Sequence, residues 1–300
     1  MNNLYDIFNE QQSQVVDNEE TRQPRLTKEE FAKKMNDARQ ELFTKANEQT
    51  LDVVSSPNSY LEYLKLQATL GYTVTNTLLV MAQYPQATLL KDTSKWREEN
   101  HYIRKGEKGI QILTPSGEFQ TRNGGIGVNY TPKYVFDISQ IQDSKSIKKT
   151  KPLNTELLLS ALTYSSGIRP QVVDAKSELP RNIYYDSRAN IIFVKQGLTP
   201  NELLTGLARE YCMIESVNQN VEDPSFVAYS SAYMICHKYQ IEGFDQNFAN
   251  IVYSHFGSKE QRQIKIELEK TNEVFKIVSD RMEQGIYNKQ RNQQTRGNVR

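Results

Sequence analysis

Two groups of residues in this chain have the types and spacing to do chemistry. The first lies between positions 72 and 134, where Tyr72, Trp96 and Tyr134 are interleaved with Asn76, Gln83, Arg97, Arg104, Lys105, Lys108 and Lys133. Rings of this kind stack on unpaired bases for about 1–3 kcal/mol each, while Lys and Arg neutralise phosphates and release counterions. On that reading Tyr72, Trp96 and Tyr134 stack, the five cations meet phosphate, and Asn76 and Gln83 position loops or bases. The run Arg104-Lys105-Gly106-Glu107-Lys108-Gly109 joins three cations to two glycines, so that backbone amides as well as charge can approach an anion. The same residue types also make an ordinary core beside a solvated loop, since aromatic side chains dominate buried surfaces. Composition alone leaves both readings open.

The second group is Arg209-Glu210-Tyr211-Cys212-Met213. It sits inside a helix opened by Thr199 as cap, Pro200 in the first turn and Glu202 near the positive end, and it follows a predicted hairpin. That is the layout of a zinc peptidase helix, in which H-E-x-x-H places two neutral imidazoles one turn apart to hold Zn²⁺ and a Glu between them as general base. Here Arg209 and Met213 stand at the two ligand positions and only Glu210 remains. A fixed cation opposes Zn²⁺, and a thioether replaces imidazole poorly. Cys212 is two residues from Glu210 and lies off its face, so Cys212, Cys236, His237 and Glu210 make no alternative metal cluster. Arg209 can also be read as a plain ion pair with Glu210 or Glu215. No G-x-S-x-G, Walker loop, deaminase signature or paired catalytic carboxylates occur. The expectation is a binding protein with no metal, no cofactor and no enzymatic activity.

The first group recurs in an ordered set of blocks: Gly71-Tyr72-Thr73-Val74-Thr75-Asn76, then Gln83-Tyr84-Pro85-Gln86-Ala87-Thr88, then Trp96, then Lys105-Gly106-Glu107-Lys108-Gly109, then Phe136-Asp137-Ile138-Ser139-Gln140. Across about residues 58 to 142 this series resembles the N-terminal domain of ArdC-type antirestriction proteins, with Thr73 where Ser is common. The resemblance implies single-stranded-DNA binding and an antirestriction role on a mobile genetic element. It extends into the second half, where such proteins carry a third metal ligand, a Glu, on the next helix; Tyr229 falls at that position. The resemblance therefore implies a zincin-like scaffold changed at all three ligand positions. The implied partners are single-stranded DNA and, as the alternative, a host restriction or CRISPR nuclease blocked through the metal-free domain.

Several elements must position these groups. Thr27 with Glu30 is a capping box before Phe31, Met35, Leu42 and Phe43, which recur at helical spacing to about Gln49. A second helix begins near Tyr60, and Val74 to Met81 is a buried helix ended by Pro85. From Trp96 to Ile141 the texture is β, with Ile110–Leu113 and Tyr134–Ile138 the firmest strands. After a lysine-rich run come a helix at Thr155–Tyr164, a strand at Gln171–Val173, a hairpin of Ile183–Tyr185 and Ile191–Val194 turning through Ser187 to Asn190, a helix capped by Ser225 and ending at Tyr239, and a last helix over about Lys259–Glu283.

The chain has 300 residues with 37 basic and 36 acidic side chains, a net charge of +1. Long-range attraction to nucleic acid is then weak, and any such binding needs a local patch. A mean hydropathy of −0.67 implies polar termini and linkers diluting the folded parts. No run approaches a membrane span, no export leader is visible, and two cysteines without a framework suit a cytoplasmic setting. The predicted class is α+β: N-terminal helices with a small antiparallel sheet, then an α+β zincin-like part of hairpin and helices. The predicted division is a disordered 1–25, a DNA-binding domain at 26–142, a basic linker at 143–157, the degenerate peptidase-like domain at 158–285, and a basic disordered tail at 286–300.

Overall fold

The computed structural model describes residues 27–121, 123–142, 144 and 152–297, with side chains to 292. The expectations for 1–25 and for the lysine run at 145–151 lie outside the described residues. Thr27 caps helix α1 (Lys28–Val53) through the expected reciprocal pair: its hydroxyl accepts from the Glu30 amide and its own amide donates to Glu30. Helix α2 (Pro57–Leu70) is capped by Ser56 and stopped by Gly71, whose φ of 63° is the left-handed conformation glycine adopts without cost. Helix α3 (Val74–Gln83) then buries Val74, Thr77, Leu78, Leu79 and Val80.

Strand β1 (Leu90–Lys91), helix α4 (Thr93–Glu98), strand β2 (Ile110–Gln120) and strand β3 (Ile126–Asp137) complete the first half. The three strands form an antiparallel sheet in the order β1-β3-β2, with Ile110 opposite Val135 and Gln111 opposite Tyr134. Both long strands run farther than the apolar pattern predicts. Their distal ends are mostly exposed, so cross-strand pairing carries them outward, with Tyr130 against Phe43 of α1 as an apolar anchor.

The second half comprises α5 (Thr155–Leu162), β4 (Pro170–Val173), β5 (Ile183–Asp186), β6 (Ile191–Lys195), α6 (Pro200–Asn218), α7 (Pro224–Lys238), α8 (Val252–Phe256) and α9 (Gln261–Gly297). Its sheet is mixed, in the order β4-β6-β5, with β4 parallel and β5 antiparallel to β6. The α+β class holds. Two boundaries differ from expectation. The cap of α7 is Asp223, whose carboxylate accepts from the Phe226 amide at 3.2 Å, because Pro224 rather than Ser225 takes the first helical turn. The segment from 286 onward is not a disordered tail up to residue 297: α9 continues through it, Asn288 donates to the Tyr164 hydroxyl at 2.7 Å, and Lys289 pairs with Glu156. Gly285 brings the helix against Tyr164 so closely that an added Cβ would lie 2.8 Å from the Tyr164 side chain.

One buried apolar cluster crosses the middle of the chain, running from Leu42, Tyr60 and Leu78 to Ile192, Phe226, Ile235 and Val278. Tyr60 on α2 stacks on Phe226 with ring centroids 5.5 Å apart and shares a 2.9 Å hydrogen bond with Ser230 on α7. Gln67 donates to Asn272 of α9 at 3.1 Å. A smaller cluster of Leu66, Val80, Ala87, Leu90, Ile110, Ile112 and Val135 fills the space under the first sheet. The lysine run therefore does not divide the core. None of the described helices is long and apolar enough to cross a membrane.

A shared core unfolds as one unit. Denaturation in urea followed by the fluorescence of the sole tryptophan, Trp96, and by far-ultraviolet circular dichroism is expected to give one coincident midpoint. Two separated transitions would show that the halves are cored independently.

Candidate functional sites

The first group resolves into residues that hold the fold and residues that face solvent. Trp96 is 0 % exposed, and its indole N–H donates to the Phe136 carbonyl at 2.9 Å. It cannot stack on a base, and that expectation is corrected: a large ring next to the sheet contributes most by being buried. Tyr72 is half-buried against the smaller cluster, and burial raises its phenol above the ordinary value.

Asn76 and Gln83 lie seven residues apart on one face of α3 and meet the open edge of β2. The Asn76 amide donates to the Leu113 carbonyl and accepts from the Leu113 amide, both at 2.9 Å. Gln83 does the same with Gln111, at 2.9 and 3.0 Å. Each side chain thus mimics the backbone of a missing neighbouring strand, satisfying donors and acceptors that an edge would otherwise expose. They position a strand, not a base.

The block Phe136-Asp137-Ile138-Ser139-Gln140 is a hydrogen-bonded corner. Asp137, 1 % exposed, accepts from the Thr88 and Leu89 amides with one oxygen and from the Ser139 amide and hydroxyl with the other. Gln140 accepts from the Asp137 amide and donates to the Lys108 carbonyl and to Glu107. The Thr88 loop, the strand end and the Gly106–Gly109 turn are therefore one network. Residue types alone did not mark Asp137 as its centre.

The cations divide in the same way. Arg104 pairs with Glu107 and Lys133 with Asp92, both at 2.6 Å, so these two are already compensated. Arg97, Lys105 and Lys108 are exposed, with no ion-pair partner among the described residues. Tyr134 is 56 % exposed; its hydroxyl accepts from Gln111 at 3.0 Å, and its ring covers Gly109, where a Cβ would come within 2.8 Å. Lys105 and Lys108 belong to the turn that ends at Gly109, against which Tyr134 packs. Arg97 is on α4, and nothing ties its side chain to that turn.

The second group is also pinned to a strand edge. Glu210 on α6 is 1 % exposed; one oxygen accepts from the Tyr185 amide of β5 at 2.9 Å and the other from Arg209 Nε at 2.8 Å. Arg209 Nη2 donates to the Ile183 carbonyl at 2.8 Å. Gly206 permits this approach, since a Cβ there would lie 2.6 Å from Ile183. Tyr229 on α7 joins them: the Arg209 guanidinium lies 5.6 Å from its ring centre, and Arg181 donates to its hydroxyl at 3.3 Å. Arg181, which sequence reasoning did not single out, also stands 3.8 Å from Glu210. Met213 is set against the main core. Glu215, the other acid considered for Arg209, pairs with Arg281 instead.

Arg209, Glu210 and Tyr229 therefore come together and Met213 does not join them. The set does not fit a divalent cation: a guanidinium supplies only donors, and the one carboxylate already accepts from a backbone amide and a guanidinium. Burial raises the thiols of Cys212 and Cys236 well above their ordinary value.

A pair of small sheets, each closed at one edge by side chains of an adjacent helix and set on a shared helical core, defines an α+β fold. That fold is the one found in the antirestriction protein ArdC of the R388 plasmid. The metal-free structure of that protein aligns with a TM-score of 0.53 and 16% identity over 81% of this chain and 98% of the other, and the Mn(II)-bound structure gives 0.52, 16%, 79% and 97%. No family model matches the sequence, and no curated protein matches it.

Two outcomes follow. Replacing Glu210 by Ala leaves a buried guanidinium and an amide unpaired and is expected to cost about 3 kcal/mol or more in urea denaturation. A loss below about 0.5 kcal/mol, the ordinary range for surface changes, would contradict the placement. Cys212 and Cys236, neutral and enclosed, are expected not to react with an aromatic disulfide reagent at pH 8 until denaturant is added.

Proposed function

We propose that this chain is an antirestriction protein of a mobile genetic element that binds single-stranded DNA through the turn at Lys105–Gly109 and the Tyr134 ring. The observation that carries the reading is the exposed Tyr134 ring lying over Gly109, with Lys105 and Lys108 uncompensated beside it. An exposed ring packed on a glycine turn that carries two exposed cations suits a sequence-tolerant single-strand site. The ArdC-like fold supports the antirestriction role, and the near-neutral net charge supports a local rather than a global electrostatic site.

On this reading the binding surface is narrower than the residue list that suggested it. Trp96, Asn76 and Gln83 build the support, Arg104 and Lys133 are already paired, and Arg97 adds charge at the side. The α6 site takes no part in hydrolysis, because the carboxylate that would serve as general base is held by Arg209 and the Tyr185 amide. The host nuclease remains the alternative partner of the second half, with no particular residue to argue for it.

Gel-shift titration with labelled single- and double-stranded oligonucleotides tests the proposal. Single strands are expected to bind more tightly, with log K falling against log salt at a slope of roughly −1.4 to −2 for two or three phosphate contacts at about 0.7 each. Tyr134→Ala is expected to weaken binding by about 1–3 kcal/mol, and Lys105→Ala with Lys108→Ala to flatten the slope. A preference for duplex, or an unchanged affinity in both variants, would refute it.

A further inference from the structure

A cavity of about 410 Å³ opens beside the Arg209–Glu210 pair, walled by Arg181, Ile183, Leu198, Arg209, Tyr229 and Phe244. Its size is that of a small-molecule site. Arg209 is held by Glu210 and the Ile183 carbonyl through two of its donors, while Arg181 is less engaged. Its guanidinium has five N–H donors, and they make one hydrogen bond, a 3.3 Å contact with the Tyr229 hydroxyl, besides the 3.8 Å approach to Glu210. Its Nε is buried without a partner. The Nη donors that Tyr229 leaves unspent are the ones an arriving acceptor can meet, and a carboxylate there makes a charge-assisted pair. The Tyr229 hydroxyl, which accepts from Arg181, keeps its own proton to donate.

We infer that this cavity binds a carboxylate carrying an apolar body, with Arg181 and Tyr229 holding the carboxylate and Phe244 and Leu198 the body. The unspent donors of Arg181 select the anion: Arg181 and Arg209 stand with three carboxylates, Glu202, Glu210 and Asp245, so the net charge of the wall does not favour an anion and disfavours a dianion such as phosphate. At the rim Glu202 accepts from the Thr199 amide and hydroxyl, and Asp245 accepts from the Asn247 amide. Ile183, Leu198 and Phe244 are the apolar part of the lining, so a carboxylate with a hydrocarbon or aromatic substituent fits where a bare ion does not. Such a group comes either from a free organic acid or from the C-terminus of a peptide, and both present the same chemistry to Arg181.

Calorimetric titration of the full chain with N-acetylphenylalanine, its amide, inorganic phosphate and a tetrapeptide ending in phenylalanine decides this. The acid is expected to bind, the amide and phosphate at least about tenfold more weakly, as the loss of a charge-assisted pair implies. Arg181→Gln is expected to reduce acid affinity about tenfold to a hundredfold and Phe244→Ala to reduce it as well, with unfolding midpoints recorded so that loss of binding is separated from loss of fold. A tetrapeptide that binds more tightly than the single residue assigns the site to peptide C-termini; equal affinity assigns it to small acids. Equal binding of acid and amide, a preference for phosphate, or an Arg181→Gln protein that is folded and binds unchanged would overturn the inference.

Discussion

The structure depends on how two strand edges are closed. An edge strand presents a row of unpaired N–H and C=O groups, and each one sealed from water without a partner costs about as much as a lost hydrogen bond. Both sheets of this protein have three strands and an edge that faces a helix. On β2 the gap is filled by the amides of Asn76 and Gln83, on β5 by the guanidinium of Arg209 and the carboxylate of Glu210. In each case polar side chains on a helix reproduce the donor and acceptor pattern of an absent strand. The helices are thereby fixed at one height along the sheets, and the shared core beneath can close.

This constraint sorts the residues that looked functional. A side chain spent on backbone is not available to a base or a metal, which removes Asn76, Gln83 and Glu210 from the chemistry their types suggest. Trp96 is removed by burial, and Arg104 and Lys133 by their carboxylate partners. What is left on the first sheet is a compact strip: Tyr134 above Gly109, with two lysines. The corner built on Asp137 holds that strip in place, since Gln140 ties the same turn to the end of β3. In the second half Arg181 is an under-used donor at the wall of a cavity, beside Arg209, which Glu210 and the Ile183 carbonyl hold.

Much of the architecture was legible in the residues. The capping box at Thr27 and the cap, proline and acid at Thr199, Pro200 and Glu202 marked helix starts because these local signals need no tertiary context. The buried helix at Val74 and the hairpin through Asn190 followed from apolar runs and turn chemistry. The distal ends of β2 and β3 did not, because Phe119, Ile126 and Val128 there are exposed and the strands are held by pairing with each other and by Tyr130 against Phe43. The extension of α9 past Glu283 was also hidden, since its docking rests on Gly285 and two polar contacts rather than on an apolar stripe. The ordered blocks that resemble ArdC fall on the segments that build the first sheet and its corner, but a conspicuous Asn, Gln or Trp reads the same whether it holds a ligand or a strand. Only the partners distinguish the two.

Residue-resolved amide hydrogen exchange tests edge closure most directly. The amides of Gln111, Leu113 and Tyr185 belong to edge positions and would exchange within the dead time of the measurement if they faced solvent. With their side-chain partners in place they are expected to be protected to the same degree as interior ladder amides such as Val135. Fast exchange at Leu113 and Tyr185 in the folded protein would contradict the account and return Asn76 and Glu210 to the list of groups free to act on a ligand.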